Sequence, residues 1–490
     1  MKTYQDLLKI TGTGETRNEE KVMEFVRATI DEYMSEELYD TAILAEEYYK
    51  KKNRTITRFE KTLTTVTGRI VPDEWSANHK VVSGFFKRFI TDQNSFSLGN
   101  GCTFGDTKTK DKLGGVKFDK AIQKAGKWAL IGGVSYIFWN LDHAEVFKAR
   151  EFAPYIDEEN GALRGGVRWW QIASDKPLRA TLYEEDGYTE YIWNRDEKGK
   201  LKEKGEVLRK KEGYIKIEKS TEAEDTTDIE WRNYPSFPIV PLWANEERQS
   251  EIVGIQDGID AYDLIKNGFE NDLDQAQVFW VLKSAGGMED PDLARFMDRL
   301  KKLAVAAPAD GQEVTPVTVN IPYEAREKLL DRLEHDLYRD FMALDTDKIA
   351  SGAVTATQIT ASYKPSDSKA TDFEYQVGEA VEAVLILADI DDKVTFQRDY
   401  IVNTGETIGW VLQSAQYFTP EYTTKKLLTL LGDGDLADDM IEEMHSNELA
   451  SVTGGTPVPG EGEIDDTGTD TSMTEDVLTQ LEAILDEIGE

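Results

Sequence analysis

Apolar residues recur every three or four positions along much of the chain, a spacing that predicts amphipathic helices. The clearest case covers residues 250–277, where one stripe is formed by Ile252, Ile255, Ile259, Tyr262, Ile265 and Phe269. At about 1.5 Å per residue this helix is about 40 Å long. Further helices are predicted within residues 19–52 and over residues 78–96, 117–128, 291–303, 405–431 and 435–448.

Two other helices carry prolines whose positions affect the prediction. Pro322 stands in the first turn of one of them, where proline is tolerated, and this helix places Leu329, Leu330, Leu333, Leu337 and Phe341 on one side. The other resumes at Ala353, and Pro365 predicts that it is broken or kinked.

Residues 145–241 follow a different pattern, in which aromatic and β-branched clusters alternate with Gly, Asp-Gly and Lys-Gly turns. This pattern is typical of antiparallel strands. Shorter strands are predicted over residues 134–139, 278–284, 314–320 and 393–398. Trp169 and Trp170 are adjacent, and successive strand residues face opposite sides, so we expect one in the core and one at the surface rather than a ligand-stacking pair.

The chain has 490 residues and a formal net charge of -36, which predicts about three globular domains and argues against a protein that grips nucleic acid. A duplex passing nearby without being held stays compatible with this charge. The lone Cys102 and the lack of a basic-then-apolar leader indicate folding in a reducing cytosol. The most apolar stretch, residues 128–141, is too short to span a membrane.

The sequence contains few motifs that would indicate an enzyme. No GxxxxGK[ST] phosphate loop is present, and the four histidines are isolated, so neither a nucleotide-driven motor nor a zinc site is predicted. The aspartates around Asp435 fail the calcium-loop spacing. We therefore expect no enzyme activity, no cofactor and no metal, although paired carboxylates of an acidic hydrolase are a geometric feature that sequence leaves open.

Several segments stand in an order that resembles the portal, or head-to-tail connector, proteins of tailed bacteriophages, in particular the siphophage type. These segments are EYYKKKNRTI, NHKVVSGFFKRFITDQNSFSLGN, WALIGGVSYIFWN, YPSFPIVPLWANEERQSEIVGIQDGIDAYDLIKNGFENDLD and SGAVTATQITASYKPSDSKATDFEYQVGEAVEAVL. The strongest covers residues 237–274. No single motif is diagnostic, and the collective order carries the resemblance.

The resemblance implies an α+β portal fold, with a mixed wing, a two-helix stem, a small β-α-β clip, a helical crown and an acidic tail. The implied boundaries are 1–249 for the N-terminal helices and wing, 250–277 and 322–344 for the stem helices, 278–321 for the clip, 345–355 for the tunnel loop, 356–403 for the long broken helix and wing strand, 404–450 for the crown and 451–490 for the tail. The tail has 11 acidic and no basic residues, so we expect disorder, with an amphipathic helix at its end.

The resemblance also implies which residues have functional roles. The tunnel loop near the DNA is formed by Asp345, Thr346, Asp347, Lys348, Ile349, Ala350, Ser351 and Gly352. The stem residues expected to line the channel are Asp257, Asp260, Asp263, Lys266 and Asp274, although a solvated helix face explains the same acidic pattern. The clip residues expected to bind partners are Lys283, Asp292, Arg295 and Arg299.

The implied assembly is a dodecameric ring at one capsid vertex, through which double-stranded DNA is packaged and ejected. Its implied partners are the terminase large subunit, which is the ATPase motor, the major capsid and scaffolding proteins, and the head-completion or adaptor proteins. No membrane partner is expected, and the implied location is the virion, with the host cytoplasm during assembly. Another virion structural or adhesion protein is the alternative, and an acidic hydrolase is a more distant one.

Overall fold

The computed structural model describes residues 2–11, 17–64, 68–73, 77–220, 227–275, 279–283, 313–317, 323–346, 356–398, 400, 404–432, 434–437, 440–442 and 444–445. The chain divides into two compact units, residues 1–401 and 402–490. In the described part of the chain we find no helix with the length and apolar character that crossing a membrane requires.

Helices and strands alternate irregularly along the chain. The helices are α1 (Tyr4–Thr11), α2 (Glu19–Tyr33), α3 (Glu37–Tyr49), α4 (Arg54–Thr57), α5 (Phe85–Leu98), α6 (Thr107–Lys112), α7 (Val116–Gly132), α8 (Gln256–Gln275), α9 (Tyr323–Phe341), α10 (Ala356–Leu387), α11 (Thr404–Ser414) and α12 (Pro420–Leu431). The strands are β1 (Thr62–Thr64), β2 (Ile70–Pro72), β3 (Cys102–Phe104), β4 (Val134–Asn140), β5 (His143–Lys148), β6 (Phe152–Ile156), β7 (Leu163–Trp170), β8 (Leu178–Glu184), β9 (Gly187–Trp193), β10 (Glu206–Glu212), β11 (Ile215–Ser220), β12 (Thr227–Arg232), β13 (Ile239–Trp243), β14 (Phe279–Lys283), β15 (Glu313–Val317) and β16 (Val394–Phe396).

A five-stranded antiparallel sheet forms the predicted strand-rich region, in the order β10-β9-β8-β7-β6. One face of the sheet is covered by α1 and α2, and the apolar stripe of α2 is buried against it from Val22 to Tyr33. Trp169 belongs to this core and packs edge-on against Tyr33, whereas Trp170 is half-buried. The expectation of one core and one surface tryptophan is therefore confirmed.

The largest core joins elements that are far apart in sequence. It contains apolar residues of α3, α5, α7, α8, α9 and α10, and stacked rings such as Phe89 and Phe341, whose centroids are 4.6 Å apart. The three-stranded sheet β13-β4-β5 borders it, and β4 is buried along almost its whole length. Near the end of the first unit, β16 pairs with β3, which brings residues 394–396 back to the N-terminal half of the chain.

Four predictions about the helices are wrong. The helix expected over residues 78–96 begins at Phe85, because residues 77–84 form neither helix nor strand. The helix expected from residue 250 begins at Gln256, because Ser250 accepts a hydrogen bond from the Ile252 amide and donates to the Ile131 carbonyl, which holds a turn there. A break or a kink is expected at Pro365, and the break is absent, since α10 is one helix of 32 residues. In the second unit the helix expected over residues 405–431 is divided, because Thr419 caps a new helix that starts at Pro420.

The strands predicted within residues 278–321 are present, and β14 pairs with β15 in an antiparallel register. The helix predicted between them over residues 291–303, and the acidic tail over residues 451–490, lie outside the described residues.

Candidate functional site

Helix α8 has an apolar face and a polar face, and its polar face is the one predicted to line a channel. Asp260, Asp263, Asn267 and Asn271 are spaced by three or four residues, so they lie on one side of the helix. Asp263 is fully buried, and Asn267 and Asn271 are nearly so. Buried polar groups of this kind require hydrogen-bond partners.

Residues 79–83 supply these partners from 180 or more residues away in sequence. The Ser83 amide donates to Asp263 at 2.9 Å, the Val81 amide to Asn267 at 2.7 Å and the His79 amide to Asn271 at 2.7 Å. Two residues of extended chain advance about 6.6 Å and four helical residues about 6 Å, so every second amide meets every fourth side chain. We call this arrangement the amide ladder (residues 79–83 on Asp263, Asn267 and Asn271).

A second cluster fixes the start of the same helix face. The carboxylate of Asp260 accepts hydrogen bonds from Tyr48 at 2.5 Å, from Asn53 at 2.8 Å and from Thr55 at 2.8 Å. Asn53 is completely buried and also donates to Asp263 at 2.9 Å. Burial raises the pKa of Asp263, and burial together with Asp260 raises the pKa of Tyr48.

These contacts show that one of the predicted channel-lining residues is wrong. For the others, the structure gives the exposure of the side chains that it describes. Asp263 cannot line a channel, because its side chain is buried within its own subunit. Asp260 is half-buried and engaged by three donors, and Lys266 is half-buried. Asp257 is exposed, while the side chain of Asp274 lies outside the described part of the structure.

Helices α8 and α9 run antiparallel and form a two-helix hairpin, which we call the stem hairpin. Arg326, near the start of α9, forms an ion pair of 2.6 Å with Asp272, near the end of α8. At the other end of the hairpin, Leu337 contacts Gly258 so closely that an added Cβ would lie 2.9 Å from it. The strands β14 and β15 pair at the end of the hairpin where α8 stops and α9 starts.

The end of α9 and the first residues of the predicted tunnel loop are held by a set of polar contacts. Arg88 donates to the hydroxyl of Thr346 at 3.0 Å. Lys369 of α10 donates to the Phe341 carbonyl at 3.0 Å, lies 3.3 Å from the centroid of the Phe341 ring and forms an ion pair of 2.5 Å with Glu251. Burial lowers the pKa of Lys369. The end of α9 is thereby tied to α10 and to the approach to α8.

A cavity of about 240 Å³ lies beside these contacts, between α5, the end of α9 and α10. Its walls include Phe89, Gln93, Phe341, Met342 and Tyr363. Met342 has a left-handed φ of 63°, which turns the chain out of α9 toward Asp345. The sequence pattern did not predict this cavity, because its walls come from three separate regions of the chain.

Most of the remaining predicted site residues lie outside the described residues. Asp345 and Thr346 are described and half-buried, whereas Asp347, Lys348, Ile349, Ala350, Ser351 and Gly352 are among those outside. In the predicted clip, Lys283 lies on β14 opposite Glu313, and Asp292, Arg295 and Arg299 are likewise outside the described ranges. Among the residues that are described, no group of three or more His, Cys, Asp and Glu side chains is arranged to hold a metal ion.

Comparison with known protein families identifies the family of this chain. Residues 30–417 match the family described as phage portal protein, SPP1 Gp6-like. The chain belongs to this family. The resemblance in the order of sequence segments is therefore confirmed, and so is the mixed α+β fold class of a portal protein.

Two curated portal proteins are similar to this chain. The portal protein of Clostridium phage phiCD119 is 24% identical over 177 residues, which are 35% of this chain and 39% of that protein. The portal protein of Bacillus phage SPP1 is 23% identical over 397 residues, which are 78% of this chain and 73% of that protein. A solved structure titled virion of native gene transfer agent particle is 10% identical, covers 70% of this chain and 89% of its own, and has a TM-score of 0.41.

Family membership also bears on the functional prediction. The predicted function as a phage portal protein is confirmed, and neither the adhesion protein nor the hydrolase is favoured. Portal proteins are structural components of phage particles, which fits the prediction that the chain is not an enzyme. The family likewise supports the predicted location in the virion.

Proposed function

We propose that the chain assembles into a dodecameric ring at one capsid vertex and that double-stranded DNA enters and leaves the capsid through the ring. The match to the portal family over residues 30–417 carries this proposal. The antiparallel hairpin of α8 and α9 supports it, because a long and rigid two-helix element repeated around a ring forms a continuous channel wall. Each helix is about 30 Å long.

The channel wall is proposed to be acidic, so that phosphates are repelled and DNA slides without sticking. Asp257 is the exposed acidic residue of α8 that fits this role among those predicted, and Asp274 is retained as a candidate. Twelve copies of the chain carry about -430 formal charges, since each carries -36. Lys266 and Lys348 are proposed as weak phosphate contacts within this acidic surrounding.

The two ends of the stem hairpin are proposed to meet different partners. The β14–β15 end, with Lys283, Asp292, Arg295 and Arg299, is the proposed contact for the terminase large subunit and later for head-completion proteins. The other end leads to residues 345–355, the proposed tunnel loop beside the DNA. The wing and crown are proposed to contact the major capsid and scaffolding proteins, during assembly in the host cytoplasm.

Particle assembly with and without the chain tests the proposal. Particles that contain the chain are expected to hold nuclease-protected DNA after incubation with the motor and ATP. Capsids assembled from the same proteins without the chain are expected to stay empty. Equal DNA content in both preparations would show that DNA enters by another route.

A further inference from the structure

A row of lysines follows one side of α7. Lys117, Lys120, Lys124 and Lys127 are spaced by three or four residues, which places them along one face of the helix. The opposite side, which includes Phe118, Ile122, Ala125 and Ala129, is buried in the largest core. We call these four lysines the lysine ridge.

Among the described residues, the lysines of the ridge are not engaged in ion pairs, although Asp142 lies close enough to Lys117 for their charges to interact. Lys117, Lys120 and Lys124 are exposed, and in the described part of the structure none of them forms an ion pair. The neighbouring Asp119 is engaged elsewhere, because it forms an ion pair of 2.7 Å with Lys110 and accepts the Cys102 amide. Exposed carboxylates lie near the start of the ridge, at Asp111 and Asp142.

Lys148 of β5 adjoins the other end of the ridge, where it also forms ion pairs with Glu151 at 3.7 Å and with Glu46 at 3.9 Å. Lys127 and Lys148 of β5 lie over the ring of Trp128, at 5.0 and 3.9 Å from its centroid. Burial together with the charges of Lys124 and Lys148 lowers the pKa of Lys127, so these ammonium groups converge in space. The local composition is unusual for the chain, with seven basic and two acidic residues between Lys108 and Lys127 in a protein of net charge -36.

We propose that the lysine ridge binds the phosphate backbone of double-stranded DNA on the outer surface of the protein, independently of base sequence. From Lys117 to Lys127 the ridge is about 15 Å long, and over that length a duplex presents about nine phosphate charges. Lysine provides point charges without the bidentate geometry that reads base edges, so it suits contacts that ignore sequence.

One physical argument favours DNA over an acidic protein, and a second removes the objection that the chain is acidic. Lysine is depleted in the cores of protein interfaces, which draw on apolar and aromatic anchors, and here Trp128 is covered by two lysines. The net negative charge of the chain does not prevent local binding, because charges farther away than about 8 Å are largely screened at physiological salt. The inference rests on the proposed function only in requiring that DNA be within reach of the protein.

Closed circular duplex DNA provides the test, because a circle cannot be threaded through a channel and reports binding at an outer surface. The full-length protein in its assembled state is titrated onto a labelled circle of a few hundred base pairs at several salt concentrations. The variant Lys117→Gln/Lys120→Gln/Lys124→Gln is expected to bind at least about ten-fold more weakly at the lowest salt. Its slope of log affinity against log salt is expected to decrease by about 0.9 for each phosphate that the variant no longer neutralises.

A matched control removes the same charge elsewhere. The variant Lys198→Gln/Lys200→Gln/Lys202→Gln changes three residues in the turn between β9 and β10, where Lys198, Lys200 and Lys202 are exposed, and is expected to bind like the wild type. Lys117→Arg/Lys120→Arg/Lys124→Arg is expected to retain binding. Circular dichroism verifies that each variant is folded.

Three outcomes would overturn the inference. The first is no binding of the circle by the wild type, and the second is an equal loss in both glutamine variants, which would reflect net charge alone. The third is a defect of the ridge variant in capsid assembly without any binding of the circle, which would assign the ridge to an acidic protein. A wild-type protein that binds the circle but forms no ring would instead contradict the proposed function and leave the ridge assignment intact.

Discussion

Asn267 lies on the polar face of the long helix α8 and forms hydrogen bonds within its own subunit. Its side-chain amide accepts from the Val81 amide at 2.7 Å and donates to the Val81 carbonyl at 2.7 Å. The pair of bonds fixes an extended segment against α8, and the Asn267 side chain is nearly buried beneath it. A group of this kind is costly to remove, because its backbone partners lose their hydrogen bonds in a site with little access to water.

Replacing Asn267 by alanine is therefore expected to lower the free energy of unfolding by about 1–3 kcal/mol. Denaturant unfolding followed by circular dichroism measures the change. The control is Asp257→Ala on the same helix, which alters an exposed side chain and is expected to stay within about 0.5 kcal/mol of the wild type. An Asn267→Ala variant as stable as the control would contradict the role of the amide ladder.

The sequence predicted which residues share one face of α8 but not what that face contacts. The spacing of Asp260, Asp263 and Asn267 correctly indicated one polar side of α8. The partner of that side, residues 79–83, lies about 180 residues earlier, and no local pattern links the two segments. A buried polar face and a solvated one have the same periodicity, which is why the pattern alone wrongly predicts a channel-lining role for Asp263.

Helix α10 shows tertiary contacts prevailing over local propensity. Proline inside a helix costs about 3 kcal/mol, because it removes a hydrogen bond and crowds the preceding turn. Here Tyr363 and Phe373 on either side of Pro365 are buried, and the Ser366 hydroxyl donates to the Met342 carbonyl at 2.9 Å. These contacts hold the segment against α9, so the helix continues where the sequence predicted a break.

The antiparallel sheet was predicted well, because its signals are local. Strand residues alternate in burial along β9, and the Lys198-Gly199 turn places Gly199 at a φ of 76°, where glycine is favoured. The lysine ridge is also a local feature of the sequence, and it was missed because the overall acidic charge obscured a basic cluster on one helix.

The proposed tunnel loop leads to a prediction about a single element. Glycine adopts backbone conformations that β-branched residues avoid, so a loop that must adjust to passing DNA depends on it. The variant Gly352→Val is expected to form rings but to package little DNA, as measured by nuclease-protected DNA in assembled particles. Gly378→Val serves as the control, because a Cβ at Gly378 meets no atom within 4 Å. Normal packaging by Gly352→Val rings would remove the loop from the mechanism.

For the whole molecule, we propose that the distribution of charge serves two different roles toward DNA. A channel must not hold the duplex, which an acidic wall achieves by repulsion. An outer surface that retains DNA needs basic residues, and the lysine ridge supplies them within a chain of net charge -36. The same chain can therefore repel DNA at one surface and bind it at another, since screening confines each effect to its neighbourhood.

Ring assembly underlies the proposed function, and the mass and shape of the purified protein show whether it occurs. Native mass spectrometry combined with negative-stain imaging is expected to show a ring with a central opening. A dodecamer has a mass of about 660 kDa, twelve times the 55.3 kDa of one chain. A chain that stays monomeric at high concentration, both alone and together with capsid and scaffolding proteins, would show that it does not form the proposed ring.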